Sequence, residues 1–549
     1  MFEEADNFAD IFRFGIPYYL LITLPILILC SSDPVLATDF SVHRMSQFDV
    51  NGVSYGCRSS ALNLEAKSLY TWSTSRHCVV TRFKDLSIEK FREIRAKAGG
   101  LVILLPKNIE NLNEEEKEHL FLLEDAMISQ ASTIPIYFSK YNEELDRLID
   151  DITSTNLKNS KGQNVRESAL AEIINSISAN GYQITVTGAS HSADKHSKIP
   201  IIQGELAPLI SIKVGGDQEN SNKLPIIVVV AHLKTFGLYN EYPENSDVAI
   251  VLSLADLFSK LHNSVTAAPK YRLMFLISES GALLNFQGTK KWLDENTQTQ
   301  NIDFVLCLDT INQPLSTKTN AIYMHVSKPP KDNTPVSNFF KHLKQSCITY
   351  DNVTAEGVHK KINLADNQLA WEHERFSMKR LPAFTLSSLN SHKDISKVTS
   401  FKYNNDVVLR NAEQNVKILA EALAKYVYKI EENGEIFSGV VNIDKDLIKP
   451  WLQVKSILHN NDLKNGFEKY LKNVKIIYEK PDTREPDFML YDGQEAVLNF
   501  YRIKPAVFDL FLTVIIAIYL TGIYFAIQYF PKLYVSVCQM SKMEKVKSI

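Results

Sequence analysis

The segment Leu224-Pro-Ile-Ile-Val-Val-Val-Ala-His-Leu-Lys-Thr-Phe236 decides the fold of this chain. Its uninterrupted apolar run is typical of a strand buried on both faces of a sheet. The run stops at His232, and active sites of open α/β proteins form where such strands end. Lys234 follows two residues later. A lysine ammonium only donates hydrogen bonds and repels a metal ion, so this His-x-Lys pair cannot provide two metal ligands.

Strand and helix patterns alternate on both sides of this segment, from about residue 164 to 431. The predicted strands cover residues 182–187, 209–214, 225–231, 271–277, 303–309, 321–326 and 383–386. The predicted helices cover residues 168–178, 248–261, 286–294, 336–345 and 406–430. Such alternation predicts an α/β fold with a mostly parallel sheet covered by helices.

Two smaller regions flank this unit. Residues 38–151 predict a small mixed domain, with short strands at 101–105 and 134–138 and a helix between them. A polar linker separates it from the larger unit at 164–431. Residues 432–505 predict a membrane-proximal region with two helices and no motif to which chemistry can be assigned.

The first of two hydrophobic segments runs from Phe14 to Cys30 without a charge. Val35-Leu-Ala37 follows, with small residues at the positions that a signal peptidase reads. We therefore expect a signal peptide over residues 1–37. Its n-region is acidic, with only Arg13 in opposition, which keeps an uncleaved anchor as the alternative.

The second hydrophobic segment has no charged residue from Leu510 to Pro531. This length is enough to cross a hydrocarbon core about 30 Å thick at about 1.5 Å per residue. It predicts a transmembrane helix over residues 508–531, a lumenal body and a cytosolic tail over residues 532–549. In that tail Lys545 and Lys547 form a K-x-K-x-x ending that resembles a dilysine retrieval signal. The expected location is the endoplasmic reticulum membrane, as a single-pass type I protein.

The composition of the 549 residues is that of an ordinary globular protein, with 22% charged and 45% apolar residues. A formal net charge of -3 gives no reason to expect nucleic acid as a partner. The sequon Asn352-Val-Thr354 predicts N-glycosylation of a lumenal body. Four thiols in that body allow three pairings, of which we favour a disulfide between Cys57 and Cys78.

Four candidate metal ligands lie at the ends of predicted strands or further along the same unit: His232, Glu279, Asp309 and His392. Their order resembles that of the M28-type zinc peptidases. The parts of that family are a His-x-Asp pair, a bridging aspartate, a Glu-Glu pair, an aspartate and a late histidine. The resemblance implies a two-metal site, which needs the full set of ligands and a base for the bridging water.

The match to that pattern is broken at three positions. Lys234 replaces the aspartate of the first pair, and Ser278 stands where the Glu-Glu pair would place the general base. The segment of the bridging aspartate offers Glu244 and Asp247 but lacks the usual glycine-rich surround. Loss of the base alone typically costs about 10²–10⁴ in rate.

We therefore expect no catalytic residue, no bound metal and no other cofactor. The four ligand positions are then leftover polar groups, some of them paired with Lys234. A single weak metal site and a residual zinc-dependent aminopeptidase are the alternatives. Other catalytic templates are absent from the sequence: His-Glu-x-x-His, Gly-x-Ser-x-Gly and P-loop patterns do not occur. The charged piece Trp371-Glu-His-Glu-Arg-Phe376 is interpreted as structural.

Several distinctive stretches resemble the nicastrin–nicalin group, and within it the nicalin branch. They are Lys361-Ile-Asn-Leu-Ala365, Ala370-Trp-Glu-His-Glu-Arg-Phe376, Leu381-Pro-Ala-Phe-Thr-Leu386 and Tyr501-Arg-Ile-Lys-Pro-Ala-Val-Phe-Asp-Leu510. The likeness extends from about Phe40 to Pro531. It implies an M28-like lumenal unit without a working metal site, a smaller domain before it and one C-terminal span.

This resemblance also implies a function. The family's members are non-enzymatic subunits of an endoplasmic reticulum membrane complex, held in the membrane lipid by their span. The implied partners are a Nodal modulator-like lumenal protein, a small multi-spanning membrane protein and the Sec61 translocon. The implied roles are the biogenesis of multi-pass membrane proteins and modulation of Nodal signalling. A nicastrin-like substrate-receptor subunit is a further alternative.

Overall fold

The computed structural model of the chain describes residues 37–107, 112–161, 181–206, 224–234, 237–238, 245–264, 269–296, 301–312, 320–349, 353–399, 405–431, 434–438, 441–443, 445–452, 454, 461–482, 484–503 and 506–547. The described residues form strands β1 (Ala37–Arg44), β2 (Gln47–Val50), β3 (Val53–Cys57), β4 (Asn63–Ser68), β5 (His77–Arg82), β6 (Gly100–Leu104), β7 (Ala131–Ser132), β8 (Ile136–Ser139), β9 (Gly181–Thr187), β10 (Ile199–Leu206), β11 (Ile226–His232), β12 (Arg272–Ser278), β13 (Ile302–Leu308), β14 (Asn320–Val326), β15 (Val353–His359), β16 (Ala383–Ser387), β17 (Lys472–Glu479), β18 (Phe488–Leu490) and β19 (Glu495–Ile503). Their helices are α1 (Ile88–Lys97), α2 (Glu114–Ile128), α3 (Glu143–Lys161), α4 (Ser246–Ser264), α5 (Gln287–Glu295), α6 (Pro335–Ile348), α7 (His373–Met378), α8 (Asn405–Tyr428), α9 (Lys445–Leu452), α10 (Asp462–Tyr470) and α11 (Ala506–Lys547).

The apolar run at residues 226–232 forms β11, near the centre of an eight-stranded sheet. The strand order is β15-β14-β16-β13-β11-β12-β10-β17. β12, β11, β13 and β16 run parallel, whereas β10, β14 and β17 bring antiparallel pairings toward the two edges. The fold is therefore mixed α/β, with a parallel centre as predicted and antiparallel pairs that the sequence patterns did not indicate.

Helices cover both faces of this sheet. All seven residues of β11 and all seven of β12 are buried, because each face of these strands packs on a helical layer. One face packs against α4, α6, α8 and α10 in a single large core. The other packs against Trp292 of α5 and Phe376 of α7. Full burial of a side chain such as valine or isoleucine contributes roughly 1.5–3 kcal/mol, so this double burial fixes the sheet.

A second sheet closes into a barrel with the order β1-β19-β9-β4-β5-β6-β8. β5, β6 and β8 come from the predicted small domain, but the barrel is closed by β9 and β19 from far along the chain. Ala37 of β1 pairs with Tyr501 of β19, and Val497 of β19 pairs with Thr187 of β9. A smaller sheet has the order β18-β2-β3-β7.

These pairings correct the predicted domain limits. The unit at 38–151 is not contiguous, because residues 181–187 and 495–503 belong to its barrel. Residues 432–505 are not a separate membrane-proximal unit either. Within them β17 pairs with β10 at the edge of the main sheet, whereas β18 pairs with β2. Hydrogen bonding between strands remote in sequence leaves no local pattern, which is why the limits were wrong.

The predicted disulfide between Cys57 and Cys78 is also wrong, since both residues are buried free thiols. Cys57 packs in the core shared with α1 and α2, and its Sγ donates to the carbonyls of Ser59 and Ile134. Cys78 of β5 belongs to a different core, together with residues of α3. The two side chains therefore lie in separate cores.

The C-terminal helix α11 follows the barrel strand β19 after two intervening residues. It exposes large apolar side chains, among them Leu510, Ile518 and Tyr524. Among the described residues, no helix combines the length and the apolar character that crossing a membrane requires. The predicted signal peptide over residues 1–37 lies, apart from Ala37, outside the described residues, as do the predicted strand at 209–214 and helix at 168–178.

Candidate functional site

The parallel pair β11 and β13 brings two of the predicted ligand positions together. His232 is the last residue of β11, and Asp309 directly follows β13. The Nε2 atom of His232 lies 3.9 Å from Oδ1 of Asp309. Gly281 allows this placement of the imidazole, because a Cβ there would lie only 2.9 Å from Cδ2 of His232. The ends of two neighbouring parallel strands therefore bring His232 and Asp309 together, where the sequence placed the candidate site.

Glu372 holds the other side of the His232 ring. Its Oε2 lies 3.1 Å from Nδ1 of His232, and its Oε1 accepts a hydrogen bond of 2.5 Å from the Thr289 hydroxyl. The side chain of Glu372 is completely buried. Glu372 falls in the stretch 371–376 that the sequence analysis interpreted as structural, so its place beside His232 was missed.

Lys397 enters the site from a 3-10 turn over Ile395–Lys397 and is 5% exposed. Its ammonium lies 3.2 Å from Oδ2 of Asp309 and donates to the carbonyl of Ala370. It also lies 3.9 Å from the centroid of the Trp371 ring, in a cation–π contact. No sequence signal marked this lysine, since nothing in the residues around it indicates burial.

Lys234 adds a second ammonium beside the first. Its Nζ donates to the Thr310 hydroxyl at 3.4 Å and to the carbonyl of Lys397 at 3.1 Å. Its backbone N–H donates to Oδ1 of Asn245 at 2.7 Å. These hydrogen bonds go to Thr310 and Lys397 and not to the predicted ligand positions, and the lysine that forms an ion pair with Asp309 is Lys397.

Asp247, the second candidate for a bridging position, binds the backbone instead. Its two oxygens accept hydrogen bonds from the N–H groups of Thr310 at 2.7 Å and Ile311 at 3.0 Å. Thr310 has a left-handed backbone with φ of 55°, which is strained for a threonine. Asp247 holds this turn after β13 and so fixes the direction of Asp309. Glu244, the other candidate, lies outside the described residues.

Ser278, at the expected position of the general base, is fully buried at the end of β12. Its hydroxyl lies 2.9 Å from that of Ser280, which accepts a hydrogen bond from the N–H of Gly288. Gly288 is required there, since a Cβ would lie 2.2 Å from the Ser278 hydroxyl. A hydroxyl bound in this way is not a base that can take a proton from water.

The remaining predicted site residues are Glu279, His392, the two lysines of the tail and the sequon. Glu279 follows Ser278 and is nearly buried, and its N–H donates to the carbonyl of Pro200. His392 is half-buried in the loop after β16; burial and three nearby lysines lower its pKa to about 4. Lys545 and Lys547 lie in the last turn of α11, whereas the sequon residue Asn352 is outside the described residues.

We call the group formed by His232, Lys234, Asp247, Asp309, Glu372 and Lys397 the ionic cluster. Burial alone would raise the pKa of Asp309, but Lys397, His232 and Lys234 together lower it to about 2. Burial lowers the pKa of His232, but Asp309 and Glu372 outweigh this and raise it. Asp309 is therefore ionised and His232 favours its protonated form. With three basic and three acidic side chains, the cluster can balance its charge internally.

Zinc, which the resemblance to M28-type peptidases implies, does not fit this arrangement. The carboxylate of Asp309 already has an ammonium at 3.2 Å, and Nδ1 of His232 is bound to Glu372 at 3.1 Å. A metal ion would have to displace the buried side chain of Lys397 and tolerate a second ammonium nearby. In the described part of the chain, no three or more His, Cys, Asp and Glu side chains are grouped to hold a metal.

Known proteins with similar sequences span almost the whole chain, although no protein-family model matches it. The BOS complex subunit ncln of Danio rerio is 35% identical over 583 residues, covering 97% of this chain and 98% of the relative. The BOS complex subunit NCLN of Homo sapiens is 33% identical over 574 residues, covering 98% of each. Nicalin of Caenorhabditis elegans is 25% identical over 565 residues, covering 95% and 96%.

Solved structures with a similar fold are more distant. A zinc aminopeptidase from Bacillus subtilis aligns with 77% of this chain and 92% of its own, at 11% identity and a TM-score of 0.32. A peptidase M28 precursor from Shewanella amazonensis aligns with 76% and 90%, at 11% identity and a TM-score of 0.30. The family follows from the relatives that match the sequence over almost its full length. The chain belongs to the nicalin family, which includes the BOS complex subunit NCLN.

Proposed function

We propose that the chain is a non-catalytic subunit of an endoplasmic reticulum membrane complex of the nicalin–Nodal modulator type. Relatives at 33–35% identity are named subunits of the BOS complex, which supports membership of a multi-subunit assembly. The observation that carries the non-catalytic part is the ion pair of 3.2 Å between Lys397 and Asp309. It puts a fixed cation against a carboxylate that a peptidase would need for its metal.

The other groups of the ionic cluster support the same interpretation. A hydrolase of this kind needs an open ligand position, an activated water and a base within reach of that water. Here His232 and Asp309 are 3% and 0% exposed, and Ser278 at the base position is fully buried. The polar groups bind one another, which suits a framework that holds loops in place rather than a reaction centre.

Membrane attachment is the second part of the proposal. This part rests on the charge-free run from Leu510 to Pro531 in the sequence and not on the described helices, with the body placed in the lumen and Lys545 and Lys547 in the cytosol. The partners proposed for this location are a Nodal modulator-like lumenal protein, a small multi-spanning membrane protein and the Sec61 translocon. The proposed roles are multi-pass membrane protein biogenesis and modulation of Nodal signalling.

Purification in mild detergent followed by mass spectrometry tests the assembly. The expected result is co-isolation with a large lumenal protein, a small multi-spanning protein and translocon components. Recovery of the chain as a free monomer would contradict it. Co-isolation with presenilin-type components instead of translocon components would favour a nicastrin-like receptor.

Glycosylation tests the orientation. An endoglycosidase should increase the gel mobility of the natural chain and leave the Asn352→Gln and Thr354→Ala variants unchanged, because each substitution removes the sequon. Loss of the glycan with either substitution supports a lumenal body. A glycan-free natural chain whose body is digested by protease added outside intact microsomes would contradict that orientation.

A further inference from the structure

A cleft of about 670 Å³ opens beside the ionic cluster, between α2 and the carboxyl edge of the main sheet. We call it the rim cleft. Its walls come from α2, the first residues of β14, the loop after β16 and one face of α8. Its volume is in the range of small-molecule sites in proteins. Unlike the ionic cluster, this cleft is open to solvent.

Polar side chains without partners are concentrated around the rim cleft. Among the described residues that line it, six have side chains with no hydrogen bond or ion pair: Glu118, Tyr323, Asn390, Lys393, Asn411 and Gln414. Asn411, Gln414 and Asn415 of α8 are spaced i, i+3 and i+4 and therefore share one helix face. The side-chain amide of Asn415 already donates hydrogen bonds to Ile311 and Asn312. It therefore stabilises the wall of the cleft and is not available to a ligand.

The chemistry of these groups selects the class of ligand. Amide side chains offer donors and acceptors together, as does a tyrosine hydroxyl, and this matches the hydroxyl groups of a sugar. Four charged side chains line the cleft: Glu114, Glu118, Lys393 and Asp394. Glu114 pairs with Lys117, and Asp394 accepts a hydrogen bond from the N–H of Ser396. The two charges left without a partner in the described structure, on Glu118 and Lys393, are opposite in sign, so an ion is not favoured. β14 is paired on both sides, by β15 and β16, so it offers no free edge to an extended peptide. The half-buried Tyr323 ring adds an apolar surface on which a sugar ring can stack.

We propose that the rim cleft is a binding site for a neutral oligosaccharide. Asn411 and Gln414 bind its hydroxyl groups from α8, and Asn390 and Tyr323 contact it from the loop after β16 and from β14. The site is independent of the ionic cluster and of the proposed complex, and it involves no reaction.

The test is isothermal titration of the full chain in mild detergent with three neutral probes: mannotriose, maltotriose and triacetylchitotriose. At least one is expected to bind saturably. Asn411→Leu and Gln414→Met should each weaken that binding about three- to tenfold, as loss of one net hydrogen bond predicts. The matched control Gln130→Met, an exposed position two residues after α2, should leave it unchanged.

Two results would overturn the proposal. One is the absence of saturable binding for all three probes, with the chain shown to be folded by its cooperative thermal transition. The other is binding that Asn411→Leu and Gln414→Met leave at its natural strength, since the sugar would then lie elsewhere. A neutral unstructured peptide that binds, and whose binding these substitutions weaken while the sugars do not bind, would assign the cleft to polypeptide.

Discussion

The ionic cluster and the rim cleft lie beside the same edge of the main sheet and use opposite chemistry. In the cluster, Lys397, Asp309, His232 and Glu372 are buried and bound to one another. In the cleft, Asn411 and Gln414 are half-buried and make no hydrogen bond within the part of the chain described. Polar groups that bind each other leave nothing for a ligand, whereas partner-free groups remain available for one.

The comparison indicates how much stability a substitution should cost in each region. A buried charge pair is strongly destabilised when one partner is removed, because the other charge is left in a low-dielectric interior. A solvated, partner-free amide gives up little when it is replaced. The two regions should therefore respond to substitution on very different energy scales.

The largest expected effect is that of Lys397→Met. It removes the ammonium from Asp309 and leaves a buried carboxylate unpaired, so the free energy of unfolding should fall by about 3–5 kcal/mol. Denaturant titration followed by fluorescence measures it. The control Lys464→Met removes an exposed partner of Glu468 and should cost less than about 1 kcal/mol. Equal small losses in the two variants would show that the ionic cluster does not stabilise the fold.

The next largest effect is the loss of stability at low pH, when Asp309 becomes protonated. Its pKa is about 2 in the folded chain, below its usual 3.8, so it stabilises the fold above pH 4 and this stabilisation is lost as pH falls toward 2. The lost contribution is about 2 kcal/mol, since each pKa unit corresponds to about 1.4 kcal/mol. Unfolding titrations between pH 5 and pH 2 should show a shallower acid dependence for Asp309→Asn. Parallel acid dependences for the two proteins would contradict this pairing.

His232 gives a smaller effect on the alkaline side. Its pKa is raised above 6.5, so its charge stabilises the fold below pH 6.5 and this part is lost as pH rises through the raised value. His232→Gln should therefore lower the free energy of unfolding by about 1–3 kcal/mol at pH 6 and by less at pH 9. The exposed His359→Gln variant serves as the control and should follow the natural profile. A loss for His232→Gln that does not change with pH would show that folding does not raise the pKa of His232.

The smallest effect is expected in the rim cleft. Asn411→Leu should change the free energy of unfolding by no more than about 0.5 kcal/mol, because Asn411 has no partner to lose in the described structure. Thermal unfolding of this variant beside Lys397→Met measures the contrast directly. A large loss for Asn411→Leu would show that the cleft is structural.

The main sheet was predictable from the sequence because its central strands are buried on both faces. The predicted strands at 225–231, 271–277 and 303–309 match β11, β12 and β13 within one residue at each end. The place of the site followed from the same strands, since His232 and Asp309 end neighbouring parallel strands. A continuous apolar run of this kind indicates a buried strand without any knowledge of its partners.

The barrel and the ionic pairs were not predictable, because they depend on contacts between remote segments. β19 is half-buried and joins β9 across more than three hundred residues, so neither strand shows its partner in its own pattern. Lys397 and Glu372 are buried charges, which occur only where tertiary structure supplies the counter-charge. Lys234 could be singled out from its place after His232, but nothing near Lys397 indicated the cation that binds Asp309.

The central claim is that the ion pair between Lys397 and Asp309 leaves no metal site at the ends of β11 and β13, and zinc content tests it most directly. The full chain, purified in mild detergent, is equilibrated with zinc, passed through a desalting column and analysed by plasma mass spectrometry together with His232→Ala. The account predicts background zinc in both proteins and no hydrolysis of aminoacyl substrates. One or two zinc ions per chain that disappear in His232→Ala, together with hydrolysis that disappears in the same variant, would contradict it.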